Sequence, residues 1–406
     1  MAEIALGTYR MSDSSPEHVA AIRMAVESGV RLIDTSANYM DGGAERAVGR
    51  ALATAEPEAA AKVEIVSKFG YLQGTTLKRH LDTEHFNDVV AYADHIHHSI
   101  DADFMRDQLA HSLQRLGRTQ LECYLLHNPE YYLLDAAKRG VSRDERLDIM
   151  LERIYDAFVA LEQEVAAGRI RSYGVSSNGF SEPGTSDGHL PYEDLLSLAH
   201  KAARYAGNDA HAFTTLQLLL NLLERGGAAC AAWAKGKGLR VLSNRPLNAQ
   251  NAGRMYRLAD YDEPREYYHH LNALLGTVGE ERELQPLYNL VNELDRMKHR
   301  FGWIGDYEQF FQTQALPLLR QIFEGLTEEA RLLLAASMEP FFETYGAMVR
   351  YECARNTRRE LAAELGSCRE TMQECAIGFL KELGTVDYIL LGMRKPAYIA
   401  EFTGTT

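Results

Sequence analysis

Along the first half of the chain, short apolar runs alternate with longer stretches whose apolar positions recur every three or four residues. Runs of the first kind at residues 4–8, 30–33, 63–67, 121–126, 171–175, 213–216, 239–242 and 388–391 predict eight strands. Such runs suit strands buried on both faces, as in a parallel sheet. Stretches of the second kind at 44–53, 102–116, 151–167, 192–205, 227–235 and 369–383 predict helices between them. Another helix opens the series: Ser15 caps it, Pro16 takes the first helical position, Glu17 follows in the first turn, and the run ends at Ser28 before Gly29. A strand-helix alternation sustained through eight strands predicts an α/β fold, a closed (β/α)8 TIM barrel rather than an open doubly wound sheet.

One region breaks this rhythm. Residues 248–366, after the seventh strand, read as a large all-helical insertion, with amphipathic stretches at 284–300, 307–324 and 328–355. The domain organisation expected is therefore 1–247 for strands one to seven, 248–366 for the insertion, and 367–406 for the last barrel helix, the eighth strand and a C-terminal segment. An insertion there follows the end of a strand at which barrel active sites form, which makes it a lid or an oligomer contact. Its aromatic residues, Phe301, Trp303, Tyr307, Phe310 and Phe311, are expected in its own core.

Composition narrows the function. With 406 residues, 46% of them hydrophobic, the chain can fill one large core or two ordinary ones. A formal charge of −14 argues against a nucleic-acid or anionic-membrane surface, which needs clustered Lys and Arg. No apolar run reaches the roughly 18 residues of a membrane span, and residues 1–10 lack the pattern of a secretory signal. A soluble, cytoplasmic protein is expected. Cys123, Cys230, Cys353, Cys368 and Cys375 are widely spaced and are expected as free thiols in a reducing compartment.

Three of the predicted strands end on ionisable residues. Residues 32–39 read Leu-Ile-Asp-Thr-Ser-Ala-Asn-Tyr, which puts Asp34 at a strand end and Tyr39 five positions on; Lys68 ends the next strand and His127 the one after. Each residue alone has an ordinary structural reading. Together they set four polar groups on one rim, where an apolar barrel would place Val or Ile. Reducing a ketone takes a hydride on carbon and a proton on oxygen, and tyrosine, with a pKa of about 10, is a weak acid at neutral pH. A neighbouring ammonium is expected to lower that value; Lys68 supplies it. Asp34 pairs with Lys68 and keeps it protonated, while His127 donates a hydrogen bond that orients the carbonyl oxygen.

This set, in this order and strand context, resembles the tetrad of the aldo-keto reductase family, and the similarity spans nearly the whole chain outside the insertion. The resemblance implies an NADP-dependent oxidoreductase that interconverts a carbonyl and an alcohol by hydride transfer, with Tyr39 as proton donor or acceptor. It also implies a cofactor site. Gly7-Thr8-Tyr9 resembles the family's Gly-Thr-aromatic segment, and Tyr173-Gly-Val-Ser-Ser-Asn178 its Gly-Val-Ser-Asn signature, where polar side chains hold the nicotinamide carboxamide. The extra serine leaves two pairs open, Ser176 with Ser177 or Ser177 with Asn178. Gln217, with Asn221 four residues on, matches a Gln-x-x-x-Asn whose glutamine completes that site; the plainer reading is a glutamine satisfying backbone at a strand end. Ser243-Asn244-Arg245-Pro246-Leu247 resembles aromatic-Ser-Pro-Leu, with Asn244 where an aromatic ring usually stacks on the nicotinamide and Arg245 placed to meet a pyrophosphate. The segment Gly392-Met393-Arg394-Lys395 resembles the Gly-x-Arg that grips an adenosine 2′-phosphate beside a helix N-terminus. Arg394 and Lys395 favour NADP, with NAD the alternative, because Tyr398 and Phe402 stand where the family often has a second basic residue and an adenine-binding Asn.

Two other functions fit the same residues: an isomerase or eliminating enzyme that retains its cofactor through transient oxidation, and a catalytically idle nucleotide-sensing barrel. The intact tetrad weighs against the second. The expected partners are a small carbonyl or alcohol substrate, no nucleic acid, no membrane, and a second copy of the chain where the insertion is an oligomer contact. No metal site is expected: His80, His85, His95, His97 and His98 lack a carboxylate or cysteine at ligand spacing. Residues 69–100 and 128–132 are expected to shape the pocket.

Overall fold

The computed structural model describes residues 2–83, 86–279 and 282–404. Eight parallel strands form a closed barrel: β1 (Glu3–Gly7), β2 (Leu32–Asp34), β3 (Glu64–Phe69), β4 (Cys123–His127), β5 (Tyr173–Ser177), β6 (Phe213–Leu219), β7 (Arg240–Asn244) and β8 (Tyr388–Leu391). Each pairs with its neighbours in sequence and β8 returns to β1, with Leu391 opposite Leu6. The (β/α)8 expectation holds, and every strand overlaps its apolar run. The interior is packed by Ala5, Leu32, Val66, Cys123, Leu125, Leu242 and Leu390. Burial of each leucine there contributes roughly 1.5–3 kcal/mol, and it is this demand that makes the strands rich in apolar residues. At Gly174 a Cβ would lie 1.9 Å from the Thr215 carbonyl oxygen, so β5 and β6 approach to a separation that only glycine permits.

The helices follow the caps. Ser15 Oγ accepts a hydrogen bond from the His18 amide at the head of Pro16–Glu27, and Asp101 caps Ala102–Leu116. The helix expected over 151–167 begins earlier, at Arg143–Ala166, because Ser142 Oγ accepts from the Glu145 amide. Ser142 and Glu145 stand at the Ser-x-x-Glu spacing that marks a helix start. Residues 69–100, expected as a loop, hold a three-stranded antiparallel sheet of Tyr71–Leu72, Val90–Ala93 and Ile96–His98, together with a helix at Gly74–Thr83.

The chain divides into two compact units. One is Met1–Pro246 with Phe379–Thr406; the other is Leu247–Gly378. The second unit is helical as expected, apart from a hairpin of Asn248–Asn251 and Arg254–Arg257 at its start. Ala252 and Gly253, at φ 47° and 78°, make the left-handed two-residue turn that suits the strand twist. Alanine at the first of these positions hid the turn from the sequence. The unit has its own core, in which Tyr267, Leu274, Leu294, Phe341 and Tyr345 are buried with Phe301 and Tyr307. Helix Glu328–Glu360 spans this core.

The cysteine expectation is corrected. Cys123, Cys230 and Cys353 are free and buried, but Cys368 and Cys375 form a disulfide. Seven positions apart in sequence, they are brought to a Cα separation of 6.0 Å, within bonding range, by the turn before helix Met372–Glu382. Among the described residues, no helix is long and apolar enough to cross a membrane.

Candidate active site

Asp34, Lys68 and His127 sit at the C-terminal ends of β2, β3 and β4, and Tyr39 lies on the connection leaving β2. The fold brings all four together. Lys68 Nζ has three N–H donors, and three acceptors meet them: the Asp34 carboxylate at 2.7 Å, the Thr35 carbonyl at 2.8 Å and the Tyr39 hydroxyl at 3.4 Å. The Tyr39 ring lies edge-on to His127 at 5.9 Å between centroids, and edge-on to Tyr9 at 5.2 Å. Ser36 Oγ is 3.1 Å from His127 Nδ1, and His98 Nε2 is 2.7 Å from the His127 carbonyl oxygen. Gly70 makes room for that last contact, since a Cβ there would lie 2.6 Å from both atoms.

Electrostatics correct one expectation. Burial holds the Tyr39 phenol well above its ordinary pKa, and the charges of Asp34 and Tyr9 add to the shift. The lysine was expected to lower it. Its charge, however, is matched by Asp34 2.7 Å away, and a phenolate in this desolvated place has little else to stabilise it. Tyr39 is therefore a fully protonated donor near neutrality. Burial lowers Lys68 and raises Asp34, while their mutual attraction pulls each back toward its charged form. His127 is pushed well below the usual histidine range by burial, then by Lys68 and His98, so its ring is neutral.

A second network continues round the rim. His127, Ser176 and Gln217 are paired in register across β4, β5 and β6. Ser176 donates to Gln217 Oε1 at 3.0 Å, and Gln217 Nε2 donates to Asp34 Oδ1 at 2.7 Å. Ser177 donates instead to Glu130, at 2.7 Å; the same buried carboxylate accepts from the amides of Asn178 and Gly179. Burial pushes Glu130 up to about 7 against the pull of those donors. Asn221 holds its own turn, accepting from the Leu223 and Glu224 amides.

The remaining sequence-predicted residues fall on the same ends of the barrel strands. Gly7 closes β1; Thr8 is pinned through its hydroxyl to the Asp34 carbonyl at 3.0 Å, and Tyr9 is 62% exposed. Asn244 ends β7 with its Oδ1 buried and without a hydrogen-bond partner among the described residues. Arg245 faces Glu224 at 3.5 Å, while Pro246 and Leu247 are buried. Gly392, Arg394 and Lys395 are exposed and Met393 is buried, just before helix Pro396–Thr403. Among the described residues neither Arg394 nor Lys395 forms an ion pair. An orphaned amide oxygen at one strand end and two uncommitted cations at a neighbouring one are what a nicotinamide dinucleotide phosphate needs, and the residues present fit it.

Three further residues join the site; Asn128 and Glu130 come from the segment 128–132 expected to shape the pocket, and Ser36 was given no role from sequence. Ser36 touches His127, Glu130 anchors the β5 end, and Asn128 Nδ2 donates to the Tyr71 hydroxyl at 2.6 Å beside His127. Polar residues next to strand-end chemistry were the available signal. Of the histidines, His98 serves the backbone of His127; His85 lies outside the described residues.

The model of the Aldo/keto reductase family matches residues 3–182, a span that contains all four tetrad positions and Ser176–Asn178. Among curated proteins, the methylglyoxal reductase YeaE of Escherichia coli (strain K12) is 27% identical over 253 residues, which cover 61% of this chain and 64% of the relative's length. An aldo/keto reductase from Klebsiella pneumoniae, crystallised in complex with NADP and acetate, is 25% identical over 60% of this chain and 64% of its own, with a TM-score of 0.38. The glycerol dehydrogenase AKR11B4 of Gluconobacter oxydans is 18% identical over 98% of this chain and 85% of its own, with a TM-score of 0.48.

Proposed function

We propose that the chain is a member of the aldo/keto reductase family and an NADP-dependent oxidoreductase that interconverts a small carbonyl compound and its alcohol, with Tyr39 as the proton donor; the family match over residues 3–182 and the curated relative support this. The observation that carries this reading is the buried Lys68 ammonium, bonded at once to the Asp34 carboxylate and the Tyr39 hydroxyl at one end of the barrel. The cofactor, when bound, supplies the hydride. Arg394 and Lys395 would hold its 2′-phosphate, Arg245 to Leu247 its pyrophosphate, and Gly7 to Tyr9, Ser176 to Asn178 and Asn244 its nicotinamide end.

The chain's own residues do the rest. Neutral His127, steadied at Nδ1 by Ser36, presents its other nitrogen to the carbonyl oxygen and orients it. Tyr39 gives its proton to that oxygen as negative charge grows there. The Lys68 N–H aimed at Tyr39 steadies the phenoxide left behind, and Asp34 keeps Lys68 charged. The name of the curated relative makes methylglyoxal the first substrate to try.

The pH dependence tests this reading. Tyr39 is held above its ordinary value, so the donor form persists across neutral pH and is lost only as pH rises through that raised value. At saturating NADPH, reduction should have a kcat that is level over roughly pH 6 to 9. Oxidation of the product alcohol needs the deprotonated phenol and should rise about tenfold per pH unit over the same range. A reduction rate that falls between those limits while oxidation stays level would assign the proton to another group.

A further inference from the structure

The amide of Gln217 is already committed within the protein. Its nitrogen donates to Asp34 at 2.7 Å and its oxygen accepts from Ser176 at 3.0 Å. The orientation is fixed by chemistry: an ionised carboxylate only accepts, so the amide nitrogen must face Asp34 and the oxygen must face the Ser176 hydroxyl. Topology gives the contact its meaning. Following the barrel from β2 to β6 takes four steps in either direction, so the two strands stand opposite each other and Gln217 reaches across the interior. Both residues are buried. A carboxylate in such a place stays ionised only through the donors that meet it. Lys68 lies 2.7 Å from both oxygens, and Gln217 adds a second donor at Oδ1.

We propose that Gln217 is a positioning residue of the tetrad: by donating across the barrel to Asp34 it keeps that carboxylate ionised and aimed at Lys68, and so governs how readily Tyr39 releases its proton. This rests on the proposed role of Tyr39. It differs from the assignment of Gln217 to the carboxamide, since Gln217 here acts through Asp34. Lys68 from β3 and Tyr39 from the connection after β2 face Asp34; Tyr9 faces Tyr39; Glu45, Cys123 and His127 act on or feel Lys68. A change at position 217 alters none of these groups, so a shift in the proton-linked rates reports the Gln217–Asp34 contact.

The test is Gln217→Met, close to the original in volume, compared with the wild type in three measurements. These are NADPH binding by protein fluorescence, the pH profile of product-alcohol oxidation, and the infrared band of a protonated carboxyl, assigned to Asp34 by its absence from an Asp34→Asn control. The proposal expects NADPH still to bind, the alkaline limb of oxidation displaced by about one pH unit, and a protonated-carboxyl band near neutral pH that the wild type lacks. Weakened NADPH binding with the limb and the band unmoved would overturn it, and would make Gln217 a cofactor ligand alone. Should Gln217→Met fail to fold, Gln217→Asn, one methylene short of Asp34, is read in the same way. If the wild type consumes no NADPH with any carbonyl compound, the proposed function fails, yet the infrared band still decides the Gln217–Asp34 contact separately.

Discussion

Tyr39→Phe should lower carbonyl-substrate turnover by a factor of about a hundred to ten thousand, the range a positioned general acid supplies. The substitution deletes the hydroxyl that Lys68 Nζ approaches at 3.4 Å but keeps the ring that packs edge-on to Tyr9 and His127. Structure and cofactor binding should therefore survive, and steady-state NADPH consumption beside fluorescence titration of NADPH separates the two effects. The loss should appear in kcat and kcat/KM alike, as for an interaction made only in the transition state. Unchanged rates would remove Tyr39 from the chemistry.

Lys68→Met should damage both stability and activity. It removes the ammonium bonded to Asp34 and leaves that carboxylate buried beside Gln217 alone. Breaking a buried pair by deleting one partner costs about 3–5 kcal/mol. Losing the attraction of Lys68 moves Asp34 further up from its already raised position. A carboxyl raised in the folded state contributes stability below its unfolded value of about 3.9 and loses it as pH rises. The gap in thermal midpoint between variant and wild type should thus be smallest near pH 4 and widen toward neutrality. Activity should fall at least as far as in Tyr39→Phe, because the phenoxide then has no cation beside it. A gap independent of pH would mean that Asp34 is not the group left uncompensated.

The strands and the tetrad were legible for one reason. In a closed parallel barrel the core demands runs rich in apolar residues, so Asp34, Lys68 and His127 stand out as ionisable residues where those runs end. What escaped depends on closure and burial. Gln217 and Asp34 are 183 positions apart and meet only because β2 and β6 face each other across the barrel. Glu130 falls in a segment expected only to shape the pocket, yet the fold buries its carboxylate against Ser177 and two backbone amides. The direction of the Tyr39 shift is a matter of desolvation, which spacing does not record. The Cys368–Cys375 bond and the Ala252-Gly253 turn depend on local backbone geometry that neither composition nor periodicity carries.

The central claim is that hydride delivered from a nicotinamide cofactor and a proton delivered from Tyr39 meet on one carbonyl group. Mass spectrometry of the alcohol formed from a carbonyl substrate, with NADPH bearing deuterium at the transferable C4 position, tests this most directly. The account predicts one deuterium on the carbinol carbon of the wild-type product, and almost no product from Tyr39→Phe. NADPH that binds but leaves no deuterium in any product, across a panel of aldehydes and ketones, would contradict it.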